Sequence, residues 1–92
     1  MERYNSRKVD ELGRIVLHGE LRKKLGLEKG GKINLTVIDS IVVIQRKDFG
    51  DCEICDLGMI SIPSEIRQKF EWVAGSEVAV YHTDSLLLLK TA

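Results

Sequence analysis

This chain of 92 residues repeats itself once, and the repeat leaves few folds open to it. Set against itself at a spacing of about 45 residues, the sequence matches without a gap. Leu12-Gly13 falls on Leu57-Gly58, and Ile15 on Ile60. Glu20-Leu21-Arg22 falls on Glu65-Ile66-Arg67, and Lys24-Leu25 on Lys69-Phe70. Gly30 falls on Gly75, Asp39-Ser40 on Asp84-Ser85, and the apolar run Ile41 to Ile44 on Leu86 to Leu89. A unit of about 40 residues has too little interior to stand alone. Two copies must therefore combine, either within one chain or between two.

Each copy reads as strand, turn, strand, short helix, then a hairpin. In the first copy the strands are expected at Arg7 to Glu11 and Arg14 to Leu17, with the turn at Leu12-Gly13, where glycine takes positive φ without a steric cost. A helix is expected from Gly19 to about Leu25, because Leu21 and Leu25 lie four apart on one face and Gly26 is a natural stop. Lys32 to Ile38 and Ile41 to Arg46 should form a hairpin about Asp39-Ser40. In the second copy Pro63 sits where the first helical position often is, and Glu65 suits the positive end of the helix dipole. Val78 and Val80 supply strand alternation, and Leu86 to Leu89 suggests burial on both faces. The expected fold class is mainly β with short helices (α+β). Its expected units are residues 1–47 and 48–92, joined by the linker-like Lys47 to Asp51.

The formal net charge is zero, but it is a cancellation. Residues 1–47 carry 11 Lys and Arg against 6 Asp and Glu, whereas residues 48–92 carry 3 against 8. Such asymmetry points to a nucleic-acid or acidic-ligand surface on the basic half.

The run Arg7-Lys8-Val9-Asp10-Glu11-Leu12-Gly13-Arg14-Ile15-Val16-Leu17 resembles the opening of the AbrB family of transition-state regulators (AbrB/SpoVT-type). Glu20 to Gly26 and the hairpin from Ile33 to Ile44 extend the likeness over residues 7–46. The second copy matches more loosely through Leu57-Gly58, Ile60-Ser61-Ile62-Pro63, Glu65-Ile66-Arg67 and the last hairpin. The resemblance implies two tandem swapped-hairpin units forming interleaved β-barrels. It also implies a DNA-binding transcriptional regulator that recognises double-stranded, AT-rich promoter DNA. Carried over by position, the DNA-contacting residues are Arg7, Lys8, Arg14, Arg22 and Lys23. One departure is plain: the family's proline before the helix is kept as Pro63 but replaced by His18-Gly19 in the first copy.

Comparing the copies sharpens the expectation. Glu20/Glu65, Arg22/Arg67 and Lys24/Lys69 are shared, so Arg22 is also a candidate for a structural role such as pairing with a carboxylate. Arg7-Lys8 becomes Cys52-Glu53, Arg14 becomes Met59 and Lys23 becomes Gln68, which suggests a second unit turned to dimerisation or partner binding. Pairing like copies across a homodimer is favoured over pairing within a chain, because two-fold symmetric basic faces suit pseudo-palindromic DNA.

Rival readings are an antitoxin and a purely structural oligomerisation module. The strand and helix pattern of residues 53–91 argues against a disordered antitoxin tail, and the charge split argues against the module. Neither His18 nor His82 has a nucleophile or carboxylate motif around it, so an enzyme is not expected. No cofactor is implied. Cys52 and Cys55 form a single Cys-x-x-Cys that would need a second chain to complete a four-thiolate zinc site, so inert packing is the favoured reading. No signal peptide or membrane-spanning run is expected, so the protein is read as cytoplasmic and nucleoid-associated.

Overall fold

The computed structural model describes residues 2–92. Its elements follow the repeat. The first half contains β1 (Glu2–Lys8), β2 (Arg14–Val16), α1 (Gly19–Leu25), β3 (Lys32–Ile38) and β4 (Ile41–Arg46). The second half contains β5 (Cys52–Glu53), β6 (Met59–Ser61), α2 (Ser64–Phe70), β7 (Glu77–His82) and β8 (Leu87–Thr91). The class is mainly β with two short helices, as expected.

The halves do not fold side by side. The six-stranded sheet runs β1-β7-β8-β4-β3-β5, and β2 pairs with β6 in a separate two-stranded ribbon. Apart from the hairpins β3-β4 and β7-β8, every strand pairing joins one half to the other. The registers obey the repeat: Ile15 pairs with Ile60 and Val43 with Leu88, so each of these residues faces its own counterpart. A pseudo-two-fold axis therefore passes between β2 and β6 and between β4 and β8.

This corrects two expectations. The strands exchange within one chain, so the preference for like copies pairing across a dimer is not the arrangement found. The sheets also do not close into a barrel, because β1 and β5 remain unpaired edges and the β2-β6 ribbon stands apart. Interleaving within the chain has a simple cause. Each half alone buries too little, whereas together they share one core containing Ile15, Leu21, Ile33, Val42 and Ile44 from the first half. The second half contributes Ile54, Ile60, Ile66, Val78, Val80 and Leu89. Leu87, Leu88 and Leu89 are buried, as the leucine run implied, whereas Leu86 precedes β8 and is half-buried.

α1 begins and ends as expected. The His18 side chain caps it, with Nδ1 accepting the Glu20 N–H at 3.2 Å. Gly26 closes it in the left-handed conformation, its N–H bonding back to the last turn. α2 starts one residue later than its proline suggested, with Pro63 at the capping position and no side-chain cap. Its closing residue is Glu71, held at φ 57° where the first half has glycine.

The first strand lies earlier than expected, at Glu2–Lys8 instead of Arg7 to Glu11. Its ladder with β7 shifts register between Arg3 and Asn5, which leaves Tyr4 at the irregularity. The Tyr4 ring lies between the histidines, with its hydroxyl 3.0 Å from His18 Nδ1 and its ring edge-on to His82.

Candidate nucleic-acid interface

The expected DNA contacts fall on three elements of the first half. Arg7 and Lys8 end β1, Arg14 begins β2, and Arg22 and Lys23 sit in α1. A tight turn joins the first two groups. Asp10 builds it: its Oδ1 accepts the backbone N–H groups of Leu12 (2.9 Å) and Arg14 (2.8 Å). Its Oδ2 accepts Arg14 Nε at 2.8 Å, forming an ion pair. The N–H of Arg14, its guanidinium and the N–H of Leu12 hold the Asp10 carboxyl below its ordinary range, against a smaller opposing effect of desolvation. Gly13 completes the turn at φ 77°. Asp10 was not singled out from the sequence, although an aspartate three residues before a turn glycine is a recognised turn-forming signal.

The equivalent turn in the second half keeps the backbone bonds but not the side-chain ones. Cys55 N–H donates to the Met59 carbonyl at 3.0 Å and Gly58 N–H to the Cys55 carbonyl at 2.9 Å. Cys55 stands for Asp10 and Met59 for Arg14, so acid and base are exchanged together. The loss of Arg14 is thus a change of paired groups and leaves local charge unaltered.

Lys8 shows a second coupled exchange. It lies opposite Glu77 in the β1-β7 ladder, and the symmetry-related pair is Glu53 opposite Lys32. The charges are reversed across the axis. Lys32 Nζ and Glu53 Oε2 form a 2.8 Å ion pair, whereas Lys8 and Glu77 form none. Lys8 is exposed.

Arg22 has a structural task of a different kind from the expected carboxylate pair. Its Nε donates to the Leu17 carbonyl at 3.2 Å, and its guanidinium lies against Gly58 in the turn of the other half. Arg67 does the same in reverse, donating to the Ile62 carbonyl at 2.9 Å and lying against Gly13. Each repeat's helix thereby clamps the other repeat's turn.

Arg7 and Lys23 are left without such explanations. Lys23 is exposed and makes no ion pair, and its counterpart is the neutral Gln68. Arg7 is half-buried, and its Nε is buried with no hydrogen-bond partner; its counterpart is Cys52. A guanidinium N–H withdrawn from water and unsatisfied is costly. The five candidates are therefore not equivalent: Arg14 and Arg22 are engaged within the fold, while Lys8, Lys23 and part of Arg7 have no charge partner.

Among the described residues, no group of three or more His, Cys, Asp and Glu is placed to hold a metal ion. Cys52 and Cys55 are free and half-buried. Burial, with a smaller contribution from Asp51, raises the Cys52 thiol above its ordinary value, which disfavours the thiolate that binds metal. No helix among the described residues is long and apolar enough to cross a membrane. The chain matches no family model, no curated protein and no solved structure.

Proposed function

We propose that the chain is a DNA-binding transcriptional regulator of AbrB-like, swapped-hairpin type, in which a single chain carries both interleaved units. The observation that carries this reading is the asymmetry at Arg7 and Lys23. The frame is pseudo-symmetric, yet these two cations stand where the other half has Cys52 and Gln68, and neither forms an ion pair among the described residues. Neutral residues occupy the equivalent places in the frame, Cys52 in the shorter strand β5 and Gln68 in α2.

In this reading Arg7, Lys8 and Lys23 neutralise phosphates on duplex DNA, and binding is driven largely by release of condensed counterions. An arginine with one N–H already withdrawn from water gains most from a charged acceptor at its remaining donors. Arg14 is held by Asp10 in a fixed pose, a prerequisite for reading a base edge or a narrow minor groove. Arg67, lying against Gly13, steadies that turn, and Arg22 does the same for its counterpart at Gly58. Two chains together offer two basic faces to a pseudo-palindromic site.

The test is fluorescence anisotropy of an AT-rich promoter duplex at about 50 and 200 mM salt, with wild type beside Lys8→Ala/Lys23→Ala. With about six phosphate contacts per dimer, affinity should fall about a thousandfold across that range. The double variant should bind more weakly and with a shallower salt dependence. Absence of binding at the lower salt, with the protein folded, contradicts the proposal and favours a protein-interaction module.

A further inference from the structure

A second basic feature lies outside the candidate interface. The C-terminal end of α1, the end of β4 and the turn before β8 enclose an open cleft of about 550 Å³. Lys24, Arg46 and Lys47 line it together with Asp84 and Ser85. None of the three cations forms an ion pair; among the described residues Asp10–Arg14 and Lys32–Glu53 are the ion pairs present, and Glu2 otherwise faces the His82 imidazole. The helix end does not occupy them either, because Gly26 N–H and Leu27 N–H already satisfy the Lys23 and Arg22 carbonyls.

The repeat supplies an internal control. The positions equivalent to Gly26, Arg46 and Lys47 are Glu71, Thr91 and Ala92. Thr91 Oγ1 accepts a 3.0 Å bond from Trp72 Nε1, and Phe70 stacks on Trp72. Lys69, Asp39 and Ser40 match Lys24, Asp84 and Ser85, but at the other three positions the second half has an acid, an internally bonded threonine and an alanine in place of glycine, arginine and lysine. At Gly26 a Cβ would meet Arg46 Nη1 at 3.2 Å, so the guanidinium packs close over the glycine at the helix end.

We infer that this cleft binds a small phosphorylated sugar. The phosphate lies on Lys24, Arg46 and Lys47, and the sugar hydroxyls donate to the Asp84 carboxylate and bond the Ser85 hydroxyl. Three cations in one cleft answer a phosphate dianion. The Asp84 carboxylate in the same cleft would repel a bare polyanion but accepts well from a diol, as acids do from ribose in nucleotide sites. The cleft volume falls in the range of small-molecule sites. The inference does not depend on DNA binding.

The experiment uses the full chain and follows backbone amide NMR signals during titration with ribose 5-phosphate, inorganic phosphate and ribose. The expected result is saturable shifts around Lys24, Arg46, Lys47 and Asp84 with ribose 5-phosphate, weaker shifts with phosphate and none with ribose. Arg46→Ala should weaken binding about tenfold, the loss expected for one charge-assisted contact. Lys47→Ala, at an exposed site after β4, provides a second variant should Arg46→Ala misfold. Asp84→Asn should abolish the preference for the sugar phosphate over phosphate. No saturable shifts with either phosphate, or equal affinity for both, overturns the inference. So does a response of these residues to duplex DNA alone, which would make the cleft part of a nucleic-acid surface.

Discussion

The guanidinium of Arg22 lies against Gly58, so that a Cβ at residue 58 would sit 3.1 Å from Arg22 Nε. Across the pseudo-two-fold axis Arg67 lies against Gly13, where a Cβ would meet Nε at 2.6 Å. Both glycines have positive φ, 73° and 77°. These two contacts, with the backbone bonds Leu17 N–H to Gly58 O (3.0 Å) and Ile62 N–H to Gly13 O (2.9 Å), lock one repeat to the other.

Gly13→Ala and Gly58→Ala should each destabilise the fold by about 1–2 kcal/mol from left-handed backbone strain alone. The loss should be greater for Gly13→Ala, because the closer arginine must also move. Denaturant unfolding of both variants measures the order. The clamp also means that Arg22→Ala should lower stability, so its effect on any binding has to be read beside its unfolding curve.

Glu71 closes α2 at φ 57°, the position Gly26 occupies in α1. Its side chain is exposed and the strain is local, so Glu71→Gly should stabilise the protein by about 1 kcal/mol. Thermal or denaturant unfolding checks it. An unchanged midpoint would mean that the Glu71 side chain supplies a compensating interaction.

His18 has φ −59° and ψ 138°, close to the −53° and 144° of Pro63. His18→Pro should therefore fold, since the gain from a restricted unfolded chain, about 0.4–1 kcal/mol, roughly offsets the lost cap. His18→Ala loses the cap and the Tyr4 contact without that gain, and should cost about 1 kcal/mol. The two unfolding curves should separate in that order.

Asp10 titrates below its ordinary value near 3.8 because folding gives its carboxylate the Arg14 and Leu12 partners. A depressed acid contributes stability above its unfolded pKa, and that contribution is lost as pH falls through the folded value. Unfolding curves across the acid range should show this component in wild type and not in Asp10→Asn. In Arg14→Met the Asp10 carboxyl, followed by carbon NMR, should titrate at higher pH, while the backbone N–H bonds of residues 14 and 12, which the substitution leaves in place, keep much of the depression.

Local structure was readable where one residue type has one physical use. Gly26 ends α1 and Leu21 and Leu25 face inward, so that helix and the β3-β4 hairpin lie where the pattern put them. β1 was misplaced because Glu2–Lys8 is a polar strand paired on one side only, with a ladder irregularity at Tyr4; it carries no alternation to read. Arg7 to Glu11 looked like a strand, but the Asp10 side chain turns the chain there. Repeat spacing showed which residues are equivalent and could not show that equivalent strands meet within one chain. The same limit applies to the candidate interface. Arg7, Lys8, Arg14 and Lys23 look alike as cations lost in the second copy, and only the bonds to Asp10 set Arg14 apart from the other three.

The most direct test of the central claim is an amide NMR footprint of a short AT-rich duplex on the full chain, comparing equivalent positions of the two repeats. DNA binding through the first repeat predicts salt-sensitive shifts at Arg7, Lys8, Arg14 and Lys23, with little change at Cys52, Glu53, Met59 and Gln68. Equal shifts in both repeats, or none at low salt, would contradict it.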